Sequence, residues 1–493
     1  MLAACAPAGE PAAVDESPPA AIAAPIYVSA KSVSTDCTAD FIGATPPGFA
    51  NRAGAEKVEM PARIAGWVNT GRDRPPVDTD IDRVSPGLVL IEPGFRYEKF
   101  LIDTDGEVVA TFRSDLLGFT QLLPDGSRLF NGNTYSDTFN QGGGMRGCLE
   151  EFGPDGSLKW RLSLSTDDYV QHHDAVMLPN GNVLTLVWEN VTTEQAIALG
   201  RNPEFVAENG NFWFDGIVEV NPQTAEIVWE WSAREHLIQE FDPGSPNYGS
   251  VADHPEKLDI NAFRAGDVGD DWTHGNALDY HPELDQIVFS SNYLSEIFII
   301  DHGTTPFEAQ GGTGGRYGRG GDFLFRWGNP ANYGRGDAGD RTLFAQHDSH
   351  WIDPELPGAG NIMIFNNGSG EGRPYTTVVE IAPPMNEDGS YILGADGTYD
   401  ATELVWEYAP EGDERFFSFF ISGAQRQPNG NTLVNKGAGG HVREVTPQGE
   451  IVWEYTYDEG DGVPHMFFRA YKYAASHPAI QALLEQAGSG GGQ

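Results

Sequence analysis

Three histidines occupy one place in a repeating pattern. His173 precedes Asp174-Ala-Val-Met-Leu-Pro179, His274 precedes Gly275-Asn276-Ala-Leu278, and His347 precedes Asp348-Ser-His-Trp351, each just ahead of an apolar run. One such histidine would most simply satisfy a buried carbonyl. Three at equivalent positions can act together: they can bind zinc with a water as fourth ligand, hold an anion, or let one ring attack while the others donate hydrogen bonds to developing negative charge. Spacing does not choose between these chemistries, because residues on separate units have no characteristic separation. His172, His350 and His441 could reach the same place, although alternation along a strand sets His172 and His173 on opposite faces.

The element that must position these rings is a recurring unit. Its first half is a strand, a Pro-Asp-Gly or Pro-Asn-Gly turn and a second strand, seen in QLLPDGSRLF (121–130), DAVMLPNGNVLTLV (174–187) and QRQPNGNTLV (425–434). Proline ahead of Asp-Gly or Asn-Gly is hairpin chemistry. Its second half is another hairpin, often ending in Trp-Glu, at 148–162, 216–231 and 442–455. Weaker copies cover 277–289 with 296–327 and 351–366 with 377–408, and 88–112 is a partial unit. Six units of four antiparallel strands predict an all-β, six-bladed β-propeller. The innermost strand of each blade lines the axial channel, so the three imidazoles should meet in one funnel. Two other units carry Gly118-Phe-Thr-Gln121 and Ser422-Gly-Ala-Gln425 at the matching place.

The Gly/Asp-rich stretches 191–211, 236–270, 303–320 and 328–343 read as loops on the faces. The expected layout is a tether over 1–25, an N-terminal extension packed on the propeller over 26–84, the propeller over 85–470, and a C-terminal helix and tail over 471–493. Helical spacing begins at Ala479, with Pro478 tolerated near a helix start.

Of 493 residues 40% are hydrophobic and 11% aromatic, enough for a sizeable core, while 60 glycines and 33 prolines argue against an all-helical fold. A formal charge of −42, from 72 acidic and 30 basic residues, disfavours nucleic acid as a partner. No apolar run reaches the roughly 18 to 20 residues that span a bilayer. Leu2-Ala-Ala-Cys5 has the form of a lipobox, and the Ala/Pro/Ser/Glu-rich residues after it suit a tether. The charged and apolar regions of a signal peptide do not precede it. Lipidation at Cys5 and a membrane-anchored periplasmic location are the expectations. Cys37 and Cys148 could pair in an oxidising compartment or remain two separate buried thiols.

The segments Gln171-His-His-Asp174, Asp271-Trp-Thr-His-Gly-Asn276, Gln346-His-Asp348 and Ser422-Gly-Ala-Gln-Arg-Gln-Pro-Asn-Gly-Asn-Thr-Leu433 resemble those of the bacterial arylsulfotransferase family over roughly 85–456. The resemblance implies a periplasmic six-bladed propeller that moves a sulfuryl group from an aryl sulfate ester to a phenol by a ping-pong cycle, without a nucleotide sulfate donor or other cofactor. It implies His347 as nucleophile, with His173, His274 and Asn276 contacting the sulfate or the bridging oxygen, and His274 or His173 as proton carrier. His172 is a further candidate for substrate binding. On the strand after its His-x-Asn motif the family commonly carries an arginine, where this chain has Asn292. A neutral amide grips an anion less firmly than a guanidinium. Either Arg426 or Arg443 substitutes, or the substrate differs, or the chain has lost transferase activity. The rival readings are aryl sulfate hydrolysis, a propeller that binds phenolic or sulfated ligands without turnover, and a metal-centred site.

Overall fold

The repeated turns close as their residues dictate. The amides of Gly126, Gly181 and Gly430 donate to the carbonyls of Leu123, Leu178 and Gln427 at 3.0, 2.9 and 2.9 Å. Each glycine is left-handed, with φ of 89°, 84° and 88°. The Asx residue before each glycine, Asp125, Asn180 or Asn429, accepts the amide two residues on at 2.9, 2.9 and 3.1 Å. Proline, Asx and glycine thus each supply one part of a type I turn with a left-handed exit.

These hairpins assemble into six four-stranded antiparallel sheets in the computed structural model, which describes residues 31, 33–35, 37, 80–94, 96–134, 136–139, 143–262, 270–370, 372–399, 402–457 and 466–490. Everything described from Val33 on falls in one compact unit. The fold is a six-bladed β-propeller. Five blades, the second to the sixth in chain order, are continuous in sequence, with innermost strands Gly118–Leu122, Tyr169–Met177, Gly275–His281, His347–Trp351 and Gly423–Arg426. The remaining blade takes its innermost strand, Phe467–Tyr473, from the far end of the chain, where it pairs antiparallel with Leu88–Pro93. The propeller therefore runs through Tyr473, three residues past the expected boundary at 470, because the ring closes only with this strand. The helix Pro478–Gly490 follows, with Ala479, Ile480 and Leu483 packed on Leu90, Leu101, Ala110 and Leu122.

The apolar core is a ring of interfaces between neighbouring blades. Leu184, Trp229 and Phe212 pack with Ile287, Phe298 and Phe323 between the third and fourth blades, and Val288, Ile297 and Phe325 pack with Ile362, Ile364 and Val379 between the fourth and fifth. Middle strands such as Gln286–Ser291 and Glu296–Asp301 are buried at every position, since both faces are covered. Tryptophans of the recurring Trp-Glu positions staple one blade to the next. Trp229 donates to Thr304 Oγ1 at 2.9 Å, Trp406 to the Pro447 carbonyl at 2.9 Å and Trp453 to the Thr104 carbonyl at 2.7 Å.

Two of the face insertions hold structure of their own. The helix Thr193–Ala198 lies within 191–211, started by a capping box between Thr192 and Gln195, and a parallel pair of Leu237–Ile238 with Leu258–Asp259 lies within 236–270. Of the N-terminal extension, Ser34 pairs with Ser163, and Cys37 forms a disulfide with Cys148 with their Cα atoms 5.7 Å apart. That resolves the alternative left open for the two thiols. Cys5, the tether and most of 26–84 lie outside the described residues.

Candidate active site

The strand register breaks at each of the three histidines. Shifts fall between His172 and Ala175, between Gly275 and Ala277, and between His347 and His350. The backbone turns left-handed at His173 (φ 47°), His274 (φ 48°) and Asp348 (φ 54°). Such bulges add a residue and re-aim side chains, at a strain of about 1 to 3 kcal/mol per residue that the surrounding ladder must hold. Alternation consequently fails where it was expected to separate His172 from His173, and their Nδ1 atoms lie 2.9 Å apart.

The rings of His173 and His274 meet edge to face at 4.8 Å between centroids. His274 stacks on Tyr293 at 4.7 Å, and its Nδ1 is paired with the Asp271 carboxylate. His172 stacks on Trp188 at 4.2 Å, and its Nε2 lies 3.1 Å from Asp215 Oδ1 without hydrogen-bond alignment. Asp215 also accepts the Gly275 amide at 2.8 Å and the Thr273 hydroxyl, binding the third blade to the fourth.

His347 is held from both sides. Its Nδ1 is 2.9 Å from Asn367 Oδ1, and its Nε2 accepts the Ile421 N–H at 3.2 Å. Asn367 Nδ2 donates to the carbonyls of Ser418 at 2.6 Å and Ile421 at 2.9 Å. With the amide nitrogen engaged by two carbonyls, its oxygen must accept, so the His347 proton is on Nδ1 and the lone pair is on Nε2. Only 4% of His347 is exposed, and burial, with His274 and Arg469 nearby, pushes its pKa down to about 3 despite the Asn367 bond. His173, equally buried, is lowered well below the usual histidine value by burial and then by His274, His172, Arg146 and His347. Both rings are neutral at physiological pH.

Arg469 ties the site together from the closing strand. Its Nη2 is 2.8 Å from Asp174 and its Nε 3.0 Å from Asp348, the residues directly after His173 and His347. Tyr471 donates to Asp348 at 3.2 Å. Burial opposes the Arg469 charge, but the two carboxylates hold its pKa well above the ordinary arginine value. One cation on the first blade thus fixes the third and fifth.

The other sequence candidates take different places. Asn276 Nδ2 donates to the Gln346 carbonyl at 2.7 Å and Asn292 Nδ2 to the Ala345 carbonyl at 2.9 Å. Both amide donors therefore hold the two residues that lead into His347. Arg426 is not brought to the imidazoles: its Nη2 donates to Glu380 at 2.5 Å and its guanidinium lies over Trp406. The Lys472 to Glu444 contact at 2.8 Å repeats that arrangement one blade on, which marks both as clamps between blades. Arg443 contacts Tyr408 and Glu454, His441 lies 3.4 Å from Glu454, and His350 donates to the Asp348 carbonyl. Among the described residues no group of three His, Cys, Asp or Glu side chains could hold a metal ion. Sequence reasoning missed Asn367, Asp271, Asp215, Arg146 and Arg469. Usable signals existed for Asp271, which opens the Asp271-Trp-Thr-His-Gly-Asn276 motif, and for Arg469, an arginine inside the aromatic-rich segment Phe467–Tyr473 of a chain whose unit at 88–112 is partial.

Fold and site together define a propeller with a buried neutral histidine at its axis, flanked by two further imidazoles. The family model for arylsulfotransferase (ASST) matches residues 75–475, and the chain belongs to that family. Membership supports aryl sulfotransferase activity in general, with aryl sulfates and phenols as the substrate class. No curated protein matches the chain. Similar solved structures include a protein of unknown function from Bacteroides caccae, 13% identical with a TM-score of 0.40, covering 79% of this chain and 99% of that one. They also include the periplasmic gluconolactonase of Pseudomonas aeruginosa, at 13%, 0.34, 76% and 96%, and virginiamycin B lyase from Staphylococcus aureus, at 10%, 0.32, 78% and 88%.

Proposed function

We propose that this protein carries a sulfuryl group from an aryl sulfate to a phenol through a covalent adduct on His347 Nε2. The observation that carries the reading is the Asn367 to His347 hydrogen bond, which leaves a neutral ring with its lone pair on Nε2. Nε2 attacks sulfur, the N–S bond forms, and the S–O bond to the aryl group breaks. The departing phenoxide takes a proton from His274, whose Nδ1 is braced by Asp271. A phenol then enters, gives its proton to the same ring, and attacks sulfur while the N–S bond breaks. Attack requires the Ile421 N–H to release Nε2, after which that N–H stands beside a sulfuryl oxygen. Fixed donors around a buried centre stabilise spreading negative charge without reorganising.

The test is release of nitrophenol from nitrophenyl sulfate with and without added phenol. Phenol-dependent release that vanishes in His347→Ala supports the reading, release that ignores phenol points to hydrolysis, and release unaffected by His347→Ala overturns it. Binding without turnover would instead indicate a propeller that only captures sulfated or phenolic ligands.

A periplasmic protein tethered to a membrane through lipid on Cys5 is the accompanying proposal. The Cys37–Cys148 disulfide supports an oxidising compartment. Palmitate labelling of cells expressing the chain tests the anchor: incorporation lost in Cys5→Ala supports it, and absence of label from the unaltered chain refutes it.

A further inference from the structure

Residues Gly144 to Arg146 lie along the strand that carries His172 and His173. The His173 amide donates to the Gly144 carbonyl at 2.8 Å and the Arg146 amide to the Gln171 carbonyl at 2.9 Å. The Arg146 guanidinium is turned inward and only 7% of the residue is exposed. Its Nη1 donates to Asn133 Oδ1 and to the Met145 carbonyl, both neutral acceptors at 2.9 Å, while its buried Nε has no hydrogen-bond partner among the described residues. No described carboxylate lies within ion-pair distance of it. Arg326, Arg426 and Arg443 are comparably buried and Arg469 is half-buried, and each has a carboxylate partner, in Glu296, Glu380, Glu454 and the pair Asp174 and Asp348, while the buried Arg201 donates to the Phe205 and Ile260 carbonyls. A buried charge with no carboxylate in ion-pair contact is costly, and burial pushes the pKa of Arg146 down to about 9 although the Asp174 carboxylate, beyond ion-pair distance, opposes the fall, which still leaves it cationic at neutral pH.

The charge acts on the His173 ring. Arg146 is among the groups that disfavour protonation of His173, and it lies 4.5 Å over Phe119 and 5.9 Å over Phe468, whose ring is 6.2 Å from that of His173. Arg469, the other cation beside the site, is already neutralised by two carboxylates. We infer that Arg146 is the cation that holds the sulfuryl oxygens of the substrate, so that the anionic ester supplies the direct ion-pair partner that no described carboxylate supplies. This rests on the sulfuryl-transfer reading for its ligand class but not on His347 being the nucleophile.

Phenyl sulfate and phenol differ by the sulfuryl group alone, so their relative affinities isolate the anion contact. Equilibrium binding of each is measured on the full chain carrying His347→Ala, with Arg146 intact or as Arg146→Gln or Arg146→Lys, and with inorganic sulfate as an anion that cannot react. Arg146→Gln is expected to weaken phenyl sulfate by about 10- to 100-fold, the range of a lost charge-assisted contact, and to weaken inorganic sulfate as well, with phenol unchanged within about twofold. Arg146→Lys, which keeps the charge without the fork, should fall between and decides the matter if the glutamine variant does not fold. Equal losses for phenyl sulfate and phenol, or no loss for either anion, overturn the inference. If His347→Ala still turns over the ester while the Arg146 selectivity persists, the nucleophile assignment fails and the anion site stands.

Discussion

The side-chain oxygen of Asn367 accepts the Nδ1 proton of His347 at 2.9 Å, and the same amide is locked by the carbonyls of Ser418 and Ile421. This fixes the tautomer in which Nε2 carries the lone pair, which accepts the Ile421 N–H at 3.2 Å. Asn367→Leu keeps the volume and removes the acceptor, so kcat should fall about 10²-fold or more, as expected when a catalytic imidazole loses the partner that orients it. Asn367→Asp, which restores an acceptor for Nδ1–H, should recover part of the loss. Steady-state kinetics with nitrophenyl sulfate and phenol read both variants, and an Asn367→Leu enzyme of ordinary kcat would refute the role.

The depressed pKa of His347 has a definite consequence for acid stability. Below about 6.5 the unfolded chain takes up a proton that the folded ring refuses until about pH 3, so stability is complete above that window and drains as pH falls through it. By pH 5 the drain from this one ring is about 2 kcal/mol. Urea unfolding at pH 7 and pH 5 should show His347→Gln losing less stability on acidification than the unaltered protein. Equal losses would contradict the buried neutral ring.

His302 behaves in the opposite sense. Its Nδ1 is 2.7 Å from Asp285 and its Nε2 2.9 Å from Glu219, with 12% of the side chain exposed. Burial alone would lower its pKa, but the two carboxylates raise it to about 9. Its contribution is fully present below about 6.5 and is lost as pH rises through 9, amounting to roughly 3 kcal/mol. His302→Gln should therefore be clearly less stable than the unaltered chain at pH 6, with the gap closing by about pH 10. A gap that stays constant between those pH values would exclude the charged clamp.

Gly144 packs against the ring of His173. Its φ is 99°, and a Cβ there would overlap the His173 ring. Gly144→Ala should displace that ring and cut kcat/KM by about 10- to 100-fold, the scale expected from a small misplacement of a catalytic group. Circular dichroism should show the propeller intact. Unchanged kinetics would separate His173 from the reaction.

Much of the architecture is legible in the chain because it is local. A Pro-Asn-Gly turn and its two strands lie within a dozen residues, so Asp174-Ala-Val-Met-Leu-Pro-Asn-Gly-Asn announces its own hairpin. Equivalent positions on successive units then place His173, His274 and His347 near one axis. What escaped was non-local or a departure from regular geometry. Arg469 reaches the site only because the last strand pairs with Leu88–Pro93, a contact the repeats do not encode. The bulge that brings His172 to His173 breaks the very alternation used to separate them. Arg426 is a candidate to replace the missing arginine on sequence grounds, but its partner Glu380, which holds it away from the imidazoles, lies on the preceding blade.

Everything proposed for the reaction turns on His347 Nε2 carrying the sulfuryl group between donor and acceptor. Mass spectrometry of the protein after exposure to an aryl sulfate without phenol addresses it directly. One sulfuryl adduct is expected on the peptide containing His347, discharged by phenol and missing from His347→Ala. Turnover with no adduct at any time, or an adduct on another peptide that survives His347→Ala, would contradict it.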